Sequence, residues 1–106
     1  MKYQIHQTRK MTMLATEVTS QIMEYKHVAN IEAKDLEHAF HLGNIDGWRD
    51  LDSAEILDDA RSLSVGDMLI DENGHAYIVG GYGFITLASV ISEARKTRDG
   101  ASEYLL

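Results

Sequence analysis

Apolar and polar residues alternate in two early stretches of the chain. In Lys2 to Gln7 the apolar Tyr3 and Ile5 stand between polar neighbours, and from Tyr25 to Ala33 the residues Tyr25, His27, Ala29 and Ile31 fall opposite Lys26, Val28, Asn30 and Glu32. A period of two predicts a strand in each. Between them Met11, Leu14, Ala15, Val18 and Ile22 recur at spacings of three and four, which places them on one face of a helix over 11–23. Leu36, Ala39 and Phe40 repeat the helical spacing after Asp35, whose carboxylate suits the open N–H groups of a first turn. Gly43-Asn44 then supplies residues that tolerate a left-handed stop.

Further along, Asp52 and Glu55 stand at capping-box spacing ahead of Ile56, Leu57 and Ala60, which predicts one or two helical turns. Met68 to Asp71 and His75 to Val79 are strand-like runs joined through Asn73-Gly74, the pair best suited to a type I′ turn, so a β-hairpin is expected. Gly80, Gly81 and Gly83 bracket Tyr82 before Phe84 to Leu87, a pattern for a bend or bulge followed by another strand. Ala88 to Arg98 reads as a helix, with Val90, Ile91 and Ala94 inward and Arg95, Lys96 and Arg98 near the negative end of its dipole. Strands near 2–7, 25–33, 66–71, 75–80 and 83–87 give an α+β fold: a small mixed or antiparallel sheet, a β-hairpin in its C-terminal half, and helices packed on one face.

At 106 residues the chain has material for one core, and without proline, repeats or a visible linker it reads as a single domain over 1–106. No window approaches the roughly 18 consecutive apolar residues of a membrane span, and the first residues lack the apolar run of a signal peptide; neither export nor membrane insertion is expected. The absence of cysteine excludes disulfides, thiolate zinc sites and cysteine nucleophiles, and points to the cytoplasm. The net charge of −7 is uneven: residues 1–33 sum to +1, residues 34–75 to −8 and residues 76–106 to zero. An acidic centre repels phosphate backbones, so direct nucleic-acid binding is disfavoured and a protein partner with a basic surface is favoured.

In Arg61-Ser62-Leu63-Ser64-Val65-Gly66-Asp67, followed by an apolar hairpin and Tyr82-Gly83-Phe84, the chain resembles the YodL-like domain family of phage and conjugative-element proteins. Upstream, Leu36-Glu37, Phe40 and Asn44 look like the family's short helix, and Tyr25 to Ala33 like the strand before it, so the likeness spans roughly 25–87. The chain departs from the family pattern at Gly66, where serine is frequent, and at Gly80-Gly81, which replaces Asp-Ser. The resemblance implies a small accessory module of a mobile element, a setting rich in inhibitors of host restriction and CRISPR systems. It implies no catalytic residue.

Ser62 and Ser64 lack the Gly-x-Ser-x-Gly elbow, and serine hydroxyls beside Asp67 more often bind backbone at a turn entering a strand, with Arg61 pairing an acid nearby. Gly80-Gly81-Tyr82-Gly83 lacks the lysine of a phosphate loop and fits a close backbone approach better. His38 and His41 are three apart on the helix near Asp35. With Glu37 they offer an alternative reading as a metal-dependent or small-ligand-binding, enzyme-like module. The larger polar feature is the run Asp46, Asp50, Asp52, Glu55, Asp58 and Asp59, interrupted only by Arg49, which is able to imitate a line of phosphates. Trp48 beside it is either an interface anchor or, in the commoner use of a lone tryptophan, part of the core. These seven residues, Asp46, Trp48, Asp50, Asp52, Glu55, Asp58 and Asp59, are the expected partner-binding set. No catalytic residue, metal or cofactor is expected. The function read from the chain is that of a mobile-element accessory protein that binds protein, as an anti-CRISPR or anti-restriction inhibitor would.

Overall fold

The computed structural model describes residues 1–8, 25–81 and 83–89. Six strands form one sheet: β1 (Lys2–Gln7), β2 (Lys26–Glu32), β3 (Ala54–Ile56), β4 (Met68–Ile70), β5 (Ala76–Gly80) and β6 (Gly83–Thr86). Their spatial order is β3-β2-β1-β4-β5-β6, and every neighbouring pair is antiparallel. The sheet expected as mixed or antiparallel is therefore antiparallel throughout. One short helix, α1 (Leu36–Leu42), and a 3₁₀ turn at Trp48–Asp50 occupy the connection between β2 and β3. The helix expected over 11–23 lies outside the described residues. Of the one expected over Ala88–Arg98, helical backbone is described at 87–89, where Thr86 Oγ1 accepts from Ser89 N at 3.1 Å; the remainder lies outside.

Alternation along β1 places Tyr3 and Ile5 on the face that carries the main core, together with Ala29 and Ile31 of β2 and Leu69 of β4. Ala39 from α1, Trp48, Ala60 and Leu63 close over that face, with Leu36, Phe40 and Leu42 packed alongside. Met68 and Ile78, paired across β4 and β5, form a smaller cluster with Tyr25, Ile70, Ala76 and Leu87.

The parity expected for β2 holds only in part. A register shift at Ile5/His6 pairs Ile5 with Ala29 but His6 with His27, leaving Val28 as an extra, buried residue. One extra residue reverses the alternation, so His27 faces the same side as His6 and not the core side of Ala29 and Ile31.

Helix α1 begins as expected. Asp35 Oδ1 accepts from His38 N at 2.8 Å, and His38 Nδ1 accepts from Lys34 N, one residue before the cap, at 3.0 Å, a variant of the capping box. Its end differs from expectation, because Gly43 is right-handed (φ −72°, ψ 0°) and no non-glycine residue among those described has positive φ. Close approach is what requires glycine here: a Cβ on Gly43 would lie 2.5 Å from Leu63 Cδ1, and Leu63 is buried. Asn44 finishes the helix through its side chain, Nδ2 donating to Phe40 O at 2.8 Å.

The helical turns expected from Asp52 and Glu55 are absent, and residues 54–56 form the edge strand β3 instead. Glu55 accepts from Asn30 Nδ2 at 2.7 Å rather than capping its own segment. Pairing of Ala54, Glu55 and Ile56 with Ile31, Asn30 and Ala29 satisfies backbone that a one-turn helix would leave open, and so tertiary pairing overrides the local signal.

The β4–β5 hairpin forms where expected but with a different turn. Gly74 N donates to Asp71 O and Asp71 N to His75 O, both at 3.0 Å, while Asp71 Oδ1 accepts from Asn73 N and His75 N. Only Gly74 has positive φ, 84°, so the connection is a type I turn closed by a glycine bulge rather than a type I′ turn. Gly74→Val is expected to lower the thermal midpoint by several degrees, since a β-branched residue is strongly disfavoured at that φ. A melting curve superimposable on that of the parent protein would contradict the turn.

Candidate functional site

Three groups of polar residues stand out among the described residues. The first is internal. Asp67, fully buried, accepts from Arg61 Nη2 at 2.7 Å, Arg61 Nη1 at 2.8 Å, Ser64 N at 2.9 Å and Gln7 Nε2 at 3.1 Å. Arg61 also donates to Thr8 O and Ser64 Oγ, and Gln7 both accepts from Arg61 N and donates to Arg61 O. Burial pushes the Asp67 carboxyl above its ordinary value, while the hydrogen bonds and charge of Arg61, with Ser64 N and Gln7, pull it down. The Tyr25 hydroxyl donates to Gly66 O, and its own ionisation is pushed up to about 12 by burial and then by the charge of Asp67. Gly66, at φ 95°, stands in backbone that residues with a side chain rarely adopt. Ser64, Asp67 and Arg61 thus hold the loop into β4 against the end of β1, the structural role expected of them.

The second group lies on the sheet face opposite the main core. His6 and His27 stack with ring centroids 4.7 Å apart and 10° between planes. His6 Nε2 donates to Gln4 Oε1 at 3.0 Å and His27 Nε2 to Asn30 Oδ1 at 2.7 Å. Burial, and next the neighbouring His27, lower the pKa of His6. The unfolded chain then binds a proton near pH 6.5 that the folded chain resists, so stability is full above that value and falls as pH drops through the folded pKa. His27→Gln is expected to raise the His6 titration midpoint, read from its Cε1 proton by NMR; an unmoved midpoint would show that the stack has no electrostatic influence. The scatter of histidines along the chain concealed this pair, because only the bulge in β2 brings His27 to the face of His6.

The alternative metal set does not assemble. No three His, Asp or Glu residues among those described lie close enough to hold a metal ion, and the Nδ1 atom of His38 is engaged with Lys34 N.

The third group is the acidic run. Asp46, Asp50, Asp52, Glu55, Asp58 and Asp59 are all exposed. An open groove of about 640 Å³ runs beside them, lined in part by Asp46, Asp50, Asp59, Arg49 and Ile56. Arg49 donates to Ala60 O at 3.3 Å and the nearby Arg61 is engaged with Asp67, so both cations have partners of their own. Trp48 contributes to the groove wall but is only 3% exposed. It belongs to the core and is corrected as a partner-binding anchor, because its indole packs with Tyr3, Ile5 and Leu63 in one cluster. The apolar residues open to solvent at this edge are Ile56 and Leu57, 36% and 50% exposed. Capping-box spacing predicts helical turns here and does not mark these two as exposed; the signal that identifies them is the strand pairing of β3. Among the described residues no helix is long and apolar enough to cross a membrane.

No protein-family model, curated protein or solved structure matches the chain.

Proposed function

We propose that this protein works by binding another protein, and that its acidic edge between Asp46 and Asp59 meets a basic, nucleic-acid-binding surface of the target. The reading rests above all on six carboxylates exposed along one groove and sheet edge, opposed there only by Arg49 and by Arg61, whose charge is paired with Asp67. Such a field attracts a basic surface at long range and speeds encounter. The resemblance to the YodL-like family supplies the setting: a cytoplasmic accessory factor of a phage or conjugative element, acting as an inhibitor of a host restriction or CRISPR system and not as an enzyme.

The test combines charge removal with salt. Replacing Asp50, Asp52, Asp58 and Asp59 with asparagine is expected to leave the unfolding midpoint nearly unchanged, since exposed charges contribute little to stability. Association with a partner recovered by pull-down is expected to slow by at least tenfold. For the parent protein the rate falls as salt shortens the Debye length from about 30 Å at 0.01 M to about 8 Å at physiological strength. A quadruple variant that associates at the parent rate, at low and high salt alike, would sink the proposal.

A further inference from the structure

We propose that the outer edge of β3 is a docking strand, and that its occupant is an extended, lysine- or arginine-rich segment of the partner added as a seventh, antiparallel strand. This rests on the reading of the acidic surface and specifies how that surface is used.

The backbone supplies the first argument. Glu32 N donates to Ser53 O and Leu57 N to Val28 O, so the hydrogen-bonded pairs between β2 and β3 fall at Ser53, Glu55 and Leu57. Ala54 and Ile56 therefore turn their backbone groups away from β2. Ala54 N is used by Leu51 O, which leaves Ala54 C=O together with the N–H and C=O of Ile56 facing outward without a partner among the described residues. One donor and two acceptors in a row match what an antiparallel strand presents.

Protein edges are usually blunted by short length, charge, lysine or proline; β3 is short and bears Glu55 but has no lysine or proline, so the only charge at this edge is acidic. The strand and its flanks carry Glu55 and Asp52, Asp58 and Asp59, all exposed. Those charges choose the occupant. A second copy of the chain would set the same four carboxylates against themselves, whereas a basic strand neutralises them. The side chain opposite Ile56 would lie on the groove side, toward Asp46, Asp50 and Asp59, and its neighbours on the side of Glu55. Exposed Ile56 and Leu57 offer apolar contact between the charges. The opposite edge, β6, exposes Ile85 but has no comparable charge to select a partner.

The probe is an octapeptide of alternating lysine and valine, titrated into the intact protein and followed by NMR. It is expected to bind and to slow hydrogen exchange at Ile56 N–H by at least tenfold, an amide without a partner among the described residues. A peptide N-methylated at the positions facing β3 should bind at least tenfold more weakly. Ile56→Pro, which removes the outward donor while sparing the bonds to β2, should weaken the unmethylated peptide to the same extent. The methylated probe keeps the test decisive if that variant fails to fold. Equal binding of both peptides, with Ile56 exchange unchanged, would refute strand addition and leave the acidic surface reading standing. Tighter binding of a helix-forming lysine–leucine peptide of equal charge, without protection at Ile56, would do the same. Concentration-dependent protection of Ile56 without any peptide would assign the edge to a second copy. Failure of every basic peptide to bind would overturn both the docking strand and the acidic surface.

Discussion

Arg61→Met is expected to destabilise the protein by roughly 3–5 kcal/mol, the usual result of removing one partner from a buried ion pair. The loss comes from Asp67, not from the Arg61 contacts themselves. Arg61 has 39% of its side chain exposed and is readily rehydrated in the unfolded chain, whereas Asp67 has none exposed and would keep only Ser64 N and Gln7 Nε2 as donors. Burial already pushes this carboxyl up, and without the guanidinium less remains to oppose it. The sign of the pH dependence follows. A carboxyl whose folded pKa lies above its unfolded value of about 3.9 holds its proton more tightly when folded, so its contribution is most favourable below that value and is lost as pH rises toward the folded pKa. Urea midpoints for Arg61→Met should therefore fall more steeply between pH 4 and 7 than those of the parent protein. The double variant Arg61→Met, Asp67→Leu should recover part of the loss, because it leaves no charge unpaired. Parallel pH profiles for the single variant and the parent protein would show that Asp67 is not held by Arg61.

Trp48→Ala is the second large effect, about 3–5 kcal/mol, as for other buried aromatic side chains cut back to a methyl. The indole is 3% exposed and shares a cluster with Tyr3, Ile5, Ala39 and Leu63, contributed by β1, α1 and the loop before β4. Its removal opens a cavity where those elements meet, and they cannot close on it without breaking the β1 pairing with β2 and β4. Trp48→Phe should lose less, since most of the volume is kept. As the only tryptophan, Trp48 also reports its own position: emission of the folded protein should be blue-shifted and resistant to iodide, and should move to the red on unfolding. Emission already at the position of free tryptophan would return it to the surface as an interface anchor.

Much of the sheet was legible in the chain because its signals are local. Alternation around Tyr3 and Ile5, the turn residues Asp71 to Gly74, and the carboxylate of Asp35 ahead of Leu36 act within a few residues of themselves, and each forms the element it predicts. The acidic run was equally visible, since charge is additive and needs no fold to be counted. What sequence alone decided was therefore β1, most of β2, α1, the β4–β5 hairpin with β6, and the sign of the surface. Tertiary structure decided the rest. Asp52 to Leu57 carries a helix signal, but the open side of β2 drew Ala54 to Ile56 into a strand and left Ile56 and Leu57 in solvent. A single extra residue at Val28 turned His27 onto the face of His6, and the approach of Leu63 required Gly43 without any left-handed turn. Trp48 stands between acidic neighbours, yet lies in the core because Tyr3, Ile5 and Leu63 gather with it in one cluster. Each of these depends on partners 12 or more residues away along the chain, and a pairing across that distance is settled by the packing of the whole and not by the residues beside it.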